Sequence, residues 1–237
     1  MSMRTGFPRL LVPEMLDTLV EDDPRAIHSR KDLRRINRIM GAAGILLHAL
    51  ISMPTAPRRI IEFGAGDGSL MLRLAKRLSL RWTDVHLVLL DRQNIVEHQT
   101  LNDFARIGWS VEIMQADINE WAASGAAQHF DIAIANLFIH HFDVRQIARL
   151  FGALSACTDM FVACEPRRER LPLLASHLVG LIGANEVTRK DAVLSVQAGF
   201  CESELSSLWP SSIPNWNLVE RRAGLFSHLF IARRQTP

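Results

Sequence analysis

The chain has 237 residues, 48% of them apolar and 22% charged, enough for one large domain with a sizeable core, and this excludes wholesale disorder. Its 27 basic and 25 acidic side chains leave a net charge of +2, too small and too evenly spread to predict a nucleic-acid partner. Three cysteines, Cys157, Cys164 and Cys201, contain no CxxC pair, which excludes a disulfide framework and a cysteine zinc site and predicts a reduced, cytosolic protein.

Residues 1–28 are mixed in character, punctuated by proline, and lack the apolar run of a signal peptide. They read as an arm or partial cap. The spacing of Leu33, Ile36, Met40, Ala43, Leu47 and Leu50 predicts a helix over 30–52, opened by a capping box of Ser29 and Asp32 and stopped by Pro54 and Pro57. The longest apolar stretch of the chain, 41–53, is interrupted by His48 and falls short of the ~20 residues of a bilayer span. Arg30, Arg34 and Arg38 lie four apart on another face of this helix. A solvated stripe is the plain reading, and a lid against an acidic substrate or a membrane surface is the sharper one.

From residue 58 short apolar runs alternate with helical stretches. Strands are expected at 59–63 (RIIEF), 85–90 (VHLVLL), 110–114, 130–135 (FDIAIA) and 160–164 (MFVAC), with helices at 69–80, 94–107, 144–156 and 168–182. This alternation predicts a parallel sheet covered on both faces. The runs 216–221 and 225–232 are joined by only a few residues, too few for a parallel crossover, so they must be antiparallel neighbours. Thr188 and Asp191 read as another capping box, and Glu204 three residues after Cys201 as half of one.

The strongest chemistry lies at the end of the first strand, EFGAGDG (62–68). Glycines at alternate positions between a strand and a helix let the backbone pass beneath a ligand, and the following helix start favours an anion. The loop reads GxGxG rather than GxGxxG. Asp91 ends the second strand, where a carboxylate can accept from both hydroxyls of a ribose; Asp117 follows the third, where it can accept from an adenine amine. Each could equally be a helix cap or a loop residue when taken alone.

The ordered set EFGAGDG, VLLD, QADI, FDIAIANLFIHHF and ACEP resembles the class I S-adenosylmethionine-dependent methyltransferases over roughly residues 35–235, and the terminal hairpin matches the seventh strand of that family. The resemblance implies an α/β fold, a Rossmann-like three-layer sandwich whose mainly parallel seven-stranded sheet ends in an antiparallel hairpin. Residues 1–54 would form an N-terminal helical arm or lid on a cofactor-binding domain of residues 55–237. It further implies S-adenosylmethionine as cofactor and no metal. Glu62, Gly64, Gly66 and Gly68 would line its methionine end, Asp91 would hold its ribose, Asp117 with Ile118 its adenine, and Asn136 the edge of the methionine portion, with Ala65 and Arg92 also among the cofactor-binding residues. Asn136-Leu137-Phe138-Ile139 lacks the prolines of enzymes that methylate nucleic-acid bases. The run NLFIHHF instead resembles small-molecule methyltransferases, and residues 165–200 with LSSLWP are similar to a subgroup that tailors phenolic polyketide products.

His140 and His141 are candidate general bases for a phenol, His140 being preferred, and only one of two adjacent residues can face a pocket. Arg167, beside Glu165, is a candidate to neutralise a phenolate, against the plainer reading of a surface charge. His28, Met40, Met53 and Trp209 are candidates for an apolar lid, against the plainer reading of core. The expected partners are a small aromatic substrate, no nucleic acid and no membrane, with a homodimer left open. Rival readings are a C-methyltransferase on a quinone precursor, a non-catalytic cofactor-binding scaffold, and an NAD-dependent oxidoreductase disfavoured by the loop and the hairpin.

Overall fold

Strands β1 (Arg59–Phe63), β2 (His86–Asp91), β3 (Ser110–Gln115), β4 (Phe130–Asn136), β5 (Thr158–Pro166), β6 (Trp216–Ala223) and β7 (Ser227–Arg234) form one sheet in the order β3-β2-β1-β4-β5-β7-β6 in the computed structural model, which describes residues 6–53, 55–124 and 128–235. Six strands run one way, and β7 runs against both of its neighbours, as the short β6–β7 connection requires. The helices are α1 (Pro24–Met40), α2 (Ala42–Leu50), α3 (Ser69–Leu78), α4 (His98–Arg106), α5 (Ile118–Ala123), α6 (Val144–Cys157), α7 (Arg170–His177) and α8 (Glu186–Ala198).

Alternation along the strands divides the core in two. Ile60, Leu87, Leu89 and Ile134 face α2, α3 and α4, whereas Ile61, Phe63, Val88 and Ala135 face α5 and α6. On the second face Phe151, Phe161, Phe230 and Trp209 pack with ring centroids 5.1–6.2 Å apart. Trp209 is therefore core and not lid. β1, β2, β4 and β5 are buried on both sides, which is why each is a continuous apolar run.

The expected helix over 30–52 is two helices. Gly41, at φ +71°, closes α1 by donating to the Arg38 and Asn37 carbonyls and caps α2, while Pro54 lies outside the described residues. α1 starts earlier, at Pro24, with the Asp23 carboxylate accepting from Arg25 N. Ser29 and Asp32 are thus not a capping box. They are buried within the helix and tie it to α8: Asp32 Oδ2 accepts from Asn185 N at 2.9 Å and from Thr188 Oγ1 at 3.2 Å, and Ser29 Oγ donates to Asn185 Oδ1 at 3.0 Å.

α8 is likewise capped by Asn185 rather than by Thr188 and Asp191. The Asp191 carboxylate instead accepts from Met15 N and Leu16 N, both at 2.9 Å, and fastens the N-terminal arm. The helix expected over 168–182 ends at His177 and continues only as a 3-10 turn, Val179–Ile182, which Gly183 terminates. α2 shares one core cluster with Ile60 of β1 and Leu74 of α3.

Replacing Asp32 by alanine leaves Asn185 N–H and Thr188 Oγ1 without their partner. The expected cost is about 1–3 kcal/mol, read as a lower urea midpoint at unchanged slope.

Candidate active site

β1 ends in a loop whose Gly64, Gly66 and Gly68 all adopt left-handed φ, between +55° and +70°. A Cβ at Gly64 would lie 2.3 Å from Cδ2 of Phe138, so the residue is glycine by contact as well as by conformation. A Cβ at Gly66 would meet nothing within 4 Å: this backbone faces an open cleft. The cleft, about 460 Å³, lies over the carboxyl ends of β1, β2 and β4, where the strand order reverses direction.

The loop and strand-end residues singled out in the sequence converge there: Glu62, Gly64, Ala65 and Gly66 from β1 and its loop, Asp91 and Arg92 from β2, Asp117 and Ile118 after β3, and Asn136 at the end of β4. Gly68 caps α3 at the edge of the loop and does not line the cleft. Asp91 accepts from Gly66 N at 2.9 Å and from Gln93 N at 3.0 Å, which fastens the glycine loop to the end of β2. Asp117 caps α5 by accepting from Asn119 N at 2.7 Å, so its cap role and its place on the cleft coexist. Arg34 ion-pairs with Asp67 of the loop at 2.6 Å, which removes it from the solvated stripe.

Three side-chain polar atoms of residues lining this cleft are buried without a hydrogen-bond partner among the described residues, Glu62 Oε2, Asn136 Oδ1 and His140 Nε2. Burial, then the charges of Asp67 and Asp91, hold the Glu62 carboxyl well above its ordinary range. The Asn136 amide oxygen is an acceptor, and the Glu62 carboxyl becomes one when it ionises.

Beyond β4 a 3-10 turn, Ile139–His141, carries the two histidines. They do different things. The buried Glu165 carboxylate, in β5, accepts from Phe138 N at 3.1 Å, Ile139 N at 2.9 Å and His140 Nδ1 at 2.8 Å. His140 Nε2 lies 3.4 Å from Glu14 Oε1 of the arm, a contact held by charge rather than by a well-directed hydrogen bond. Burial alone would lower the His140 pKa, but Glu14 and Glu165 outweigh it and push the ring up to about 9. An imidazole that keeps its proton at neutral pH cannot accept one, which corrects the preference for His140 as base.

His141 is less enclosed, lines the cleft, and places Nδ1 3.0 Å from Asp17 Oδ2, an arrangement that leaves Nε2 as the lone-pair nitrogen. Glu14 Oε1 also accepts from Ser195 Oγ of α8. One ligand atom from each of Glu14, His140 and His141 lies within 4.8 Å of the others, a spacing a divalent ion could bridge, and the His140 proton competes for that place. Glu14, Asp17 and Ser195 have no sequence signal, because two lie in the irregular arm and one on the inner face of α8.

Residues 60–159 match the family profile described as "Methyltransferase domain". Over 90% of this chain the fold is similar to that of the plantazolicin methyltransferase BpumL in complex with SAH, with TM-score 0.63, 13% identity and 92% of that chain covered. Residues 60–159 are thus a methyltransferase domain. The pyocyanin biosynthetic protein PhzM is similar over 93% of this chain and 62% of its own, with TM-score 0.58 and 18% identity. Magnesium protoporphyrin IX methyltransferase from Synechocystis PCC 6803, with bound SAM, is similar over 93% of this chain and 88% of its own, with TM-score 0.52 and 11% identity. Among curated proteins none matches the sequence.

The methyltransferase fold and the terminal hairpin expected from the sequence thus hold. The cleft suits S-adenosylmethionine, the cofactor expected from the sequence: a bare main-chain turn, two strand-end carboxylates, and the buried oxygens of Glu62 and Asn136 fitting the ammonium of a methionine portion.

A second cavity of about 370 Å³ adjoins the first and is almost wholly apolar. The two share Glu14, Leu16, Leu33, Leu137 and Ser195. Arg167 lines neither cavity. It is buried behind the sheet edge, where Nε lies 3.3 Å from Glu169, its N–H donates to Phe226 O and its Nη1 to Gly224 O, so it is not a site residue. Of the expected lid residues only Met40 lines the second cavity; Met53 packs on the core and His28 is exposed beside Asp32.

Because the His140 pKa is raised on folding, its contribution to stability is complete below the unfolded value of about 6.5 and is lost as pH rises through about 9. Denaturant midpoints measured at intervals from pH 6 to pH 10 (roughly the window bracketing both values) should fall in the wild type and stay nearly flat in His140→Gln.

Proposed function

We propose that this methyltransferase transfers a methyl group to a hydroxyl of a small, largely apolar aromatic acceptor. The observation that carries the reading is the junction of the two cavities: an apolar chamber opens onto the cofactor cleft at a carboxylate, Glu14, with His141 on the cleft side. An apolar chamber with few polar groups selects an acceptor of the same character and holds its one polar group at the junction. The relatives in fold named above include enzymes for plantazolicin and magnesium protoporphyrin IX and a protein of pyocyanin biosynthesis, which supports a small-molecule acceptor. Asp91 and Arg92 hold the ribose, Asp117 and Ile118 the adenine, and Glu62, Asn136 and the glycine loop the methionine portion.

S-adenosylmethionine supplies a methyl group already activated on a sulfonium. The protein therefore has only to align the acceptor oxygen and take its proton. His141 Nε2 accepts that proton while Asp17 holds Nδ1–H and the ring's orientation. Glu14, kept ionised by its histidine neighbours against the opposing effect of burial, anchors the acceptor hydroxyl before transfer. The His140 imidazolium balances the negative charge gathered at the junction. The new bond joins methyl to oxygen as the sulfur–methyl bond breaks, and the acceptor proton leaves on His141.

Two measurements test this reading. Asp91→Ala should weaken S-adenosylhomocysteine binding in calorimetry by about 10–100-fold, the loss expected for hydrogen bonds to a charged acceptor. With an isotopically labelled methyl donor and a panel of phenols, the product should be an ether, and His141→Gln should lower kcat by about 100-fold or more with little change in cofactor affinity. Label on a ring carbon would move the enzyme to C-methylation. Cofactor binding without turnover on any phenol would make it a scaffold.

A further inference from the structure

The junction of the two cavities gathers more ligand atoms than proton transfer uses. The Glu165 carboxylate holds His140 Nδ1 at 2.8 Å, so Nε2 is the nitrogen turned towards Glu14. His141 repeats the arrangement, with Nδ1 3.0 Å from Asp17 Oδ2. A carboxylate on one ring nitrogen is how proteins fix the tautomer of a metal-ligating histidine and raise the basicity of its other nitrogen. The two rings lie 4.3 Å apart, and Glu14 of the arm completes a group whose ligand atoms all fall within 4.8 Å of one another.

Two details separate this group from an ordinary ion pair. His140 is 2% exposed, yet its Nε2 has no hydrogen-bond partner among the described residues. Its distance to Glu14 Oε1, 3.4 Å, is long for a charge-assisted hydrogen bond, which spans about 2.7–2.9 Å. It matches the edge of a tetrahedral zinc site instead, where ligand atoms about 2.0–2.1 Å from the ion lie about 3.3–3.4 Å apart. A second group of similar composition, His129, Asp131 and Asp159, is partly exposed and already engaged. Asp131 accepts from Arg58 N and Arg59 N, Asp159 pairs with Arg234, and none of the three has a buried atom lacking a partner.

We propose that Glu14, His140 and His141 bind a divalent transition-metal ion of the zinc or cobalt class, and that this ion inhibits methyl transfer. Two imidazoles and one carboxylate are a donor set for such ions, with a fourth position left to water, whereas magnesium and calcium call for oxygen ligands. The charges agree. Glu14 and Glu165 flank His140, so the place takes a cation, and the ion replaces the proton that the ring otherwise holds. The site stands without the function proposed above. The inhibition rests on that function, because coordination takes the His141 lone pair and the Glu14 carboxylate away from the acceptor. The resemblance read in the sequence implied no metal, since Glu14 reaches the two histidines only when the arm is folded against their turn.

The test is calorimetric titration of the full, metal-free chain with Zn²⁺, Co²⁺ and Mg²⁺, together with the visible absorption of the Co²⁺ form. One Zn²⁺ per chain is expected, with a tetrahedral Co²⁺ spectrum and far weaker Mg²⁺ binding. Asp17→Asn, which alters only the support of His141, should weaken Zn²⁺ binding by about 10–100-fold, and His141→Gln or Glu14→Gln by more than that. His129→Gln/Asp159→Asn should leave the titration unmoved. Cooperative unfolding in urea shows which variants are folded; should Glu14→Gln loosen the arm, His141→Gln still decides. Zn²⁺ should abolish methyl transfer by the wild type, and a chelator should restore it. Absence of Zn²⁺ binding overturns the proposal, as does binding that His141→Gln leaves intact or that His129→Gln/Asp159→Asn removes. Equal affinity for Mg²⁺ overturns the nitrogen ligands. Zn²⁺ binding with turnover undiminished overturns the inhibition, and with it the base role of His141, but not the site. Absence of turnover in the metal-free chain with Zn²⁺ binding intact counts against the proposed function alone.

Discussion

One buried carboxylate holds the two halves of this site together. Glu165 sits at zero exposure near the end of β5 and gathers three backbone N–H groups and the His140 ring from the turn after β4. An unpaired carboxylate there would be costly, and these donors together with the His140 charge offset its desolvation. The same turn carries Leu137 at φ +50° and sets the Phe138 ring so close to Gly64 that no Cβ fits between them. β5 and the glycine loop are thus linked through one residue, whose N–H donates to Glu165 and whose ring packs on Gly64. The link runs the other way as well, since His140 faces Glu14 of the arm, and Arg9 donates to the His140 and Phe142 carbonyls.

The arm walls the junction of the two cavities, where Glu14 and Leu16 line both. Asp191 fastens its backbone, Ser195 and His140 fix Glu14, and Asp17 bridges His141 and Arg92. Each anchor is a charge-assisted contact across a long sequence separation, individually modest and collectively decisive for where the junction of the cavities falls. The Asp32 lock ties α1 to the start of α8, so α1 and the arm are both fastened to the same helix.

Most of the fold was legible in the chain. β1, β2, β4 and β5 are continuous apolar runs because both faces are covered, and EFGAGDG has its spacing because the backbone must pass under a ligand. The hairpin followed from loop length alone. Local capping rules misled at Ser29–Asp32 and Thr188–Asp191: both pairs have the right spacing, yet their hydroxyls and carboxylates bond across the molecule. The caps in the fold are Asp23, ahead of Pro24, and Asn185.

The sequence by itself determined the sheet, the cofactor loop and the acidic strand ends, since periodicity, glycine spacing and strand termini are properties of neighbouring residues. Only the tertiary structure decided the work of the side chains. It set His140 between two carboxylates that hold its proton, paired His141 with Asp17 on the cleft side, turned Arg167 away from the site, and brought Glu14 to the junction. The reason is physical: a histidine's protonation and a carboxylate's role are set by charges and burial contributed from distant parts of the chain, and those distances exist only once it has folded.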